Sequence, residues 1–126
     1  MDLREFYESV GGNYQDVKDR LQKDPVIRRL VIKFLDDSSY EKLVEAMEQK
    51  DYGAAFRAVH TLKGISQNFS FDRLSESTYA LTETLRKWAS EPVDEEKCEQ
   101  LWQQVTLDYA VLTGAIRRLK ESEQND

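Results

Sequence analysis

Apolar residues recur at three- and four-residue spacings along nearly the whole chain, and no stretch sustains the alternation of a half-buried strand. The pattern therefore predicts helices almost throughout. Phe6, Tyr7 and Val10 form a short first face that ends at Gly11-Gly12, and Tyr14, Val17 and Leu21 form a second that closes before Asp24-Pro25. Asp24 is the expected N-cap of a third helix, with Pro25 in its first turn, where the missing N–H costs nothing, and Ile27, Leu30, Val31, Phe34 and Leu35 as its apolar stripe. Ser38 and Glu41 have the spacing of a capping box ahead of Tyr40, Leu43, Val44 and Met47. From Tyr52 to Phe69 one face holds Tyr52, Ala55, Phe56, Val59, Leu62, Ser66 and Phe69. Ser70 is then the expected cap of a helix carrying Leu74, Thr78, Leu81, Leu85 and Trp88. After Ser90-Glu91-Pro92 a long final helix repeats Cys98, Leu101, Trp102, Val105, Tyr109, Leu112, Ile116 and Leu119, close to a heptad seam.

These elements predict an all-α fold. Only about three residues separate the Tyr52–Phe69 helix from its successor, so the two should run antiparallel. Four helices long enough to form a bundle imply an antiparallel up-down-up-down four-helix bundle, with the two short N-terminal helices packed against one end or side. The expected organisation is one domain over 1–126: N-terminal helical decoration at 1–23, the bundle at 24–120, and a polar tail at 121–126 that should fray.

Charge and composition narrow the function. Eighteen Lys and Arg against twenty-four Asp and Glu give a net charge of −6, which disfavours nucleic acid and anionic membrane surfaces as partners. One cysteine, Cys98, cannot form an internal bridge, and neither a signal-peptide core nor a bilayer-spanning apolar run is visible; a reducing cytoplasm is the expected location. With one histidine, five glycines and two prolines, the chain offers no His/Cys metal cluster, no Gly-rich phosphate cradle and no GxSxG elbow. Cys98 and the two tryptophans fall on apolar stripes and are expected to pack rather than react.

The one remaining chemical feature surrounds the only histidine. At about 100° per residue, His60 lies off the apolar face, in a column with Gly53, Arg57, Gly64 and Gln67, and is predicted to face solvent. Gly64 follows one turn later in mid-helix, where glycine costs about 1 kcal/mol relative to alanine. Because position 64 points nearly opposite the apolar stripe, an approaching partner explains it better than a packed neighbour does. Lys63, at i+3, brings an ammonium to the place where charge would appear if the imidazole received an anionic group.

His60-Thr61-Leu62-Lys63-Gly64, followed by Ser66, Asn68, Phe69 and Leu74, resembles the histidine-containing phosphotransfer (HPt) domain family, whose HxxKG motif lies on a helix of an antiparallel four-helix bundle. The resemblance covers roughly Asp36 to Leu119. It implies a stoichiometric phosphocarrier rather than an enzyme with its own nucleotide site, acting as a monomer. His60 would accept and donate the phosphoryl group, Lys63 would compensate its charge, and Gly64 would give access. Arg57 and Gln67 are further candidates for contacting the phosphoryl group or the partner. The implied partners are the receiver domains of response regulators and hybrid histidine kinases. No cofactor is expected on this chain; Mg²⁺ would belong to the receiver. Two departures stand out. Many members have glycine where Ser70 stands, which suggests a different helix cap. Several place a glutamine on the following helix to orient the imidazole, and the matching position here is Thr82, leaving Thr82 or Gln67 for that task. A structural helical module without phosphotransfer, and the phosphoacceptor module of a chemotaxis-type kinase, are the alternatives.

Overall fold

A computed structural model describes the chain from Met1 to Gln124. Among these residues it has seven α-helices and no strand: α1 (Leu3–Ser9), α2 (Tyr14–Leu21), α3 (Asp24–Lys33), α4 (Ser39–Glu48), α5 (Tyr52–Asn68), α6 (Asp72–Leu85) and α7 (Glu95–Gln124), with a 3₁₀ turn at Phe34–Asp36. The all-α expectation holds. Helices α4 to α7 pack in chain order, α5 lying between α4 and α6, and α6 against α7. The connections Gln49–Asp51 and Phe69–Phe71 are too short to let the flanking helices pack along their lengths unless the chain reverses. Tyr40 joins α4 to α7, stacked on Tyr109 at 3.7 Å between ring centroids and on Trp102 at 5.7 Å.

Several helix starts follow local chemistry. The side chains of Asp2, Asn13, Asp51 and Asp94 accept hydrogen bonds from backbone N–H groups in the first turns of α1, α2, α5 and α7, satisfying donors that have no partner within the helix. Three expected caps are different. Asp24 does not cap α3; Lys23 occupies that position, and the Asp24 carboxylate is taken by the Tyr14 hydroxyl at 2.6 Å and the Lys18 ammonium at 2.8 Å, tying α2 to α3. Ser38 stands at the N-cap of α4 but makes no capping bond, so the capping box is not formed; Asp37 instead accepts from the Ser39 N–H at 2.9 Å.

Ser70 is the third. It does not start α6 but ends α5: its φ of +56° is left-handed, the Phe71 N–H bonds the Ser66 carbonyl, and the Ser70 N–H bonds that of Gln67. This is a Schellman closure, whose left-handed position favours glycine because it has no Cβ. The glycine common in the resembled family and the serine here therefore suit the same backbone turn. Serine adds a hydroxyl that donates to Asp16 and accepts from Arg20 at 2.6 Å, while the same guanidinium also reaches the Asn68 carbonyl at 2.6 Å and that of Gln67 at 3.2 Å. Arg20 thus brings α2 onto the carbonyl end of α5. Arg20→Ala should lower stability by about 1–2 kcal/mol, measured by denaturant unfolding; an unchanged midpoint would show that water replaces the guanidinium at no cost.

Phe71 is the hub of an aromatic cluster, with ring centroids 6.2 Å from Phe6, 5.8 Å from Tyr7, 5.7 Å from Phe34 and 5.4 Å from Phe69. Phe6 and Tyr7 are fully buried in it, so α1 is part of the main core rather than an appendage. Cys98 is buried, and that burial pushes its thiol up to about 11. It remains a neutral packing group at physiological pH, in keeping with the expectation of packing.

Trp88 departs from its expected stripe. Helix α6 ends at Leu85, and the indole, 43% exposed, folds from the following turn over Gly53. A Cβ at position 53 would lie 2.9 Å from that ring, so Gly53 is a packing glycine, buried rather than exposed beside His60. Helix α7 continues through Gln124, and the N-terminal ammonium donates to Ser122 Oγ at 2.9 Å. Asn125 and Asp126, the end of the tail expected to fray, lie outside the described residues.

Candidate functional site

The outward strip of α5 is what remains after α4 covers one flank and α6 the other. His60 lies exposed on this strip, as the periodicity predicts. Arg57 and Gln67, also exposed, lie one turn before and two turns beyond it. Among the described residues no hydrogen bond fixes the imidazole; its ring neighbour is Phe56, with centroids 5.9 Å apart and planes at 41°.

Gly64 separates the two explanations for a mid-helix glycine. A Cβ added there would meet nothing within 4 Å, whereas one at Gly53 would strike Trp88 and one at Gly12 would strike Tyr7 and the Ser70 carbonyl. No packed neighbour requires position 64 to be bare. Beside it, the Lys63 ammonium rests 5.8 Å from the centroid of the Tyr79 ring on α6.

Thr82 does not join this group. It is fully buried, and its hydroxyl donates to the Thr78 carbonyl at 2.6 Å, so that proton is unavailable to an imidazole. Gln67 makes a backbone contact with Arg20 through its carbonyl, with no side-chain hydrogen bond to His60. The structure therefore brings together His60, Lys63 and Gly64, with Arg57 and Gln67 on the same surface, and leaves Thr82 in the core.

Two residues of α6, Tyr79 and Glu83, and the residue that caps its C-terminus, Arg86, line the other rim, and their sequence alone does not single them out. Tyr79, Glu83 and Arg86 follow one another at i, i+4 and i+7. Arg86 forms hydrogen bonds of 2.8–3.2 Å to Glu83, and its guanidinium lies 5.6 Å from the centroid of the Phe56 ring that neighbours His60. The bonds from Arg86, with a smaller contribution from Lys63, hold the Glu83 carboxyl below its ordinary range. The Glu83–Arg86 spacing is a visible helical charge pair, but its place beside His60 depends on the register of α6 against α5.

A concavity of about 470 Å³ runs between α4 and α5 over Ala46, Ala54 and Ala58, with Arg57 and Thr61 also lining it. It lies beside the imidazole rather than around it. Among the described residues no group of three His, Cys, Asp or Glu side chains could hold a metal ion, and no helix is long and apolar enough to cross a membrane. An exposed imidazole on the outward strip of α5, flanked by an ammonium and a bare glycine, suits chemistry on a group presented by another macromolecule. A small substrate would find no enclosure there.

Comparison with known proteins gives one finding. The Hpt domain family model matches residues 29–121, about three quarters of the chain, from within α3 almost to the end of α7. Neither the curated proteins nor the solved structures yield a match.

Proposed function

The chain belongs to the Hpt domain family, which serves phosphotransfer in two-component systems, and from that premise we propose that His60 carries a phosphoryl group between receiver-domain aspartates. The observation that supports this most is an exposed imidazole next to a glycine at which a Cβ would meet nothing. A ring nitrogen of neutral His60 attacks the phosphorus of an aspartyl phosphate on the docked receiver. The N–P bond forms as the acyl O–P bond breaks, and the aspartate carboxylate leaves. The return transfer reverses these steps.

Such a transition state is loose and in line, so positioning and charge compensation do most of the work. Lys63 supplies compensation from this chain, Gly64 leaves the approach open, and Arg57 and Gln67 meet the receiver or the phosphoryl oxygens on the same strip. The divalent cation belongs to the receiver's acidic pocket. The protein works as a monomeric stoichiometric carrier in the cytoplasm, with response regulators and hybrid kinases as partners, and holds no nucleotide.

Incubation with a phosphorylated receiver and, separately, with ATP and a histidine-kinase core tests the reading. Acid-labile label should arrive from the receiver and not from ATP and the core alone. Direct labelling by the core would instead favour the kinase-substrate role, and no label from either would favour a structural module.

Lys63→Glu separates a charge role from a general surface role. It sets a carboxylate one turn from a group that gains nearly two negative charges, so transfer at low salt should slow about five- to tenfold. Raising the salt should shrink the defect, because the site is exposed. An unchanged rate at low salt would remove Lys63 from the site.

A further inference from the structure

We infer that Tyr79 is a positioning residue for phosphotransfer, acting through Lys63 by holding its ammonium beside His60 on the face of the phenol ring. This rests on the phosphocarrier reading above and adds a residue that the HxxKG motif does not contain. Lys63 has a flexible four-carbon stem, and on an outward helix position such a side chain ordinarily sweeps a wide volume of solvent. Here Lys63 is only partly exposed, and its nitrogen sits 5.8 Å from the Tyr79 ring centroid, within the range of a cation–π contact. Tyr79 itself is 53% exposed, the second most exposed of the large apolar side chains on the described surface. Single exposed aromatics are common; this one lies under the ammonium of a lysine whose place on α5 is one turn from the only histidine.

The surroundings explain why a ring suits this task better than a carboxylate. Glu83, one turn further along α6, feels the charge of Lys63 and could capture it. Arg86 occupies that carboxylate with its guanidinium hydrogen bonds instead. The ammonium is left against a neutral π face, which localises it without cancelling its charge. When a phosphoryl group arrives at His60, no ion pair with Lys63 has to be broken before Lys63 can meet it.

The test compares Tyr79→Leu, which keeps apolar bulk but has no π face, with Tyr79→Phe, which keeps the face and loses the hydroxyl. A cation–π contact at an exposed site corresponds to about a two- to fivefold effect. At saturating phosphorylated receiver, Tyr79→Leu should therefore slow phosphoryl acquisition by that factor, and Tyr79→Phe should keep the parent rate. In a Lys63→Ala background Tyr79→Leu should have no further effect. Proton NMR supplies a readout independent of transfer: the ε-methylene protons of Lys63 should show an upfield ring-current shift in the parent and in Tyr79→Phe, absent from Tyr79→Leu. The proposal is overturned if Tyr79→Leu transfers at the parent rate, if Tyr79→Phe is slowed as much as Tyr79→Leu, or if Tyr79→Leu slows the Lys63→Ala protein equally. A parent protein that takes no label would overturn the phosphocarrier reading together with this one, so the two failures are distinguishable.

Discussion

His60→Gln should abolish acid-labile labelling from a phosphorylated receiver while leaving the circular dichroism spectrum unchanged. The composition makes the result clean, because no second histidine exists to take over. The structure supports the expectation of an intact fold: the imidazole is exposed, its ring neighbour is Phe56, and no hydrogen bond among the described residues depends on it. Glutamine is an adequate helix former, so the stability change should stay within about 0.5 kcal/mol. A folded His60→Gln protein that still accepts label would move the acceptor to another residue type.

The second large effect is expected at Gly64, where stability and function should move in opposite directions. Its backbone is ordinary helix, and a Cβ there meets nothing within 4 Å. Gly64→Gln should therefore gain about 0.5 kcal/mol from helix propensity, a rise in melting temperature of about 1–3 °C. The same side chain would stand one turn from His60, over the surface a receiver must approach. Near-attack geometry tolerates displacements of well under an ångström or two, so transfer should fall about tenfold or more. Thermal melts and a transfer assay on this one variant decide the matter. A destabilised protein whose folded fraction transfers normally would refute the access role and return Gly64 to packing.

Gly53 and Gly64 show how far a single sequence carries the reading. Helical periodicity places both in the column of His60, and for Gly64 that placement leads to the right surroundings. For Gly53 it does not, because Trp88 folds back from the turn after α6 to cover it. The helices and most buried stripes were legible because the burial of α2 to α7 follows a 3.6-residue period. The caps were less so. Asp24, Ser38 and Ser70 all have side chains that can cap a helix, yet Tyr14 and Lys18 take the first, the backbone of Asp37–Ser39 passes over the second, and the left-handed turn with Asp16 and Arg20 takes the third. Each outcome depends on a residue distant in sequence or on a backbone angle.

The candidate site divides along the same line. His60, Lys63 and Gly64 lie within one helical turn or so, and their shared surface follows from spacing alone. The rim formed by Tyr79, Glu83 and Arg86 requires the register of α6 against α5, which spacing on one helix cannot supply. Thr82 illustrates the converse. A fixed sequence offset from His60 made it a candidate to orient the ring, but it turns inward and gives its hydroxyl to Thr78.

The central claim is that this chain receives a phosphoryl group on His60 from a receiver aspartate. It is tested most directly by mixing the parent protein with a ³²P-phosphorylated receiver and Mg²⁺, then locating the label by proteolysis under alkaline conditions, where phosphohistidine persists. One acid-labile, alkali-stable label per chain, in the peptide that contains His60, is the predicted result. Label in any other peptide, or none at a receiver concentration that drives exchange, would contradict it.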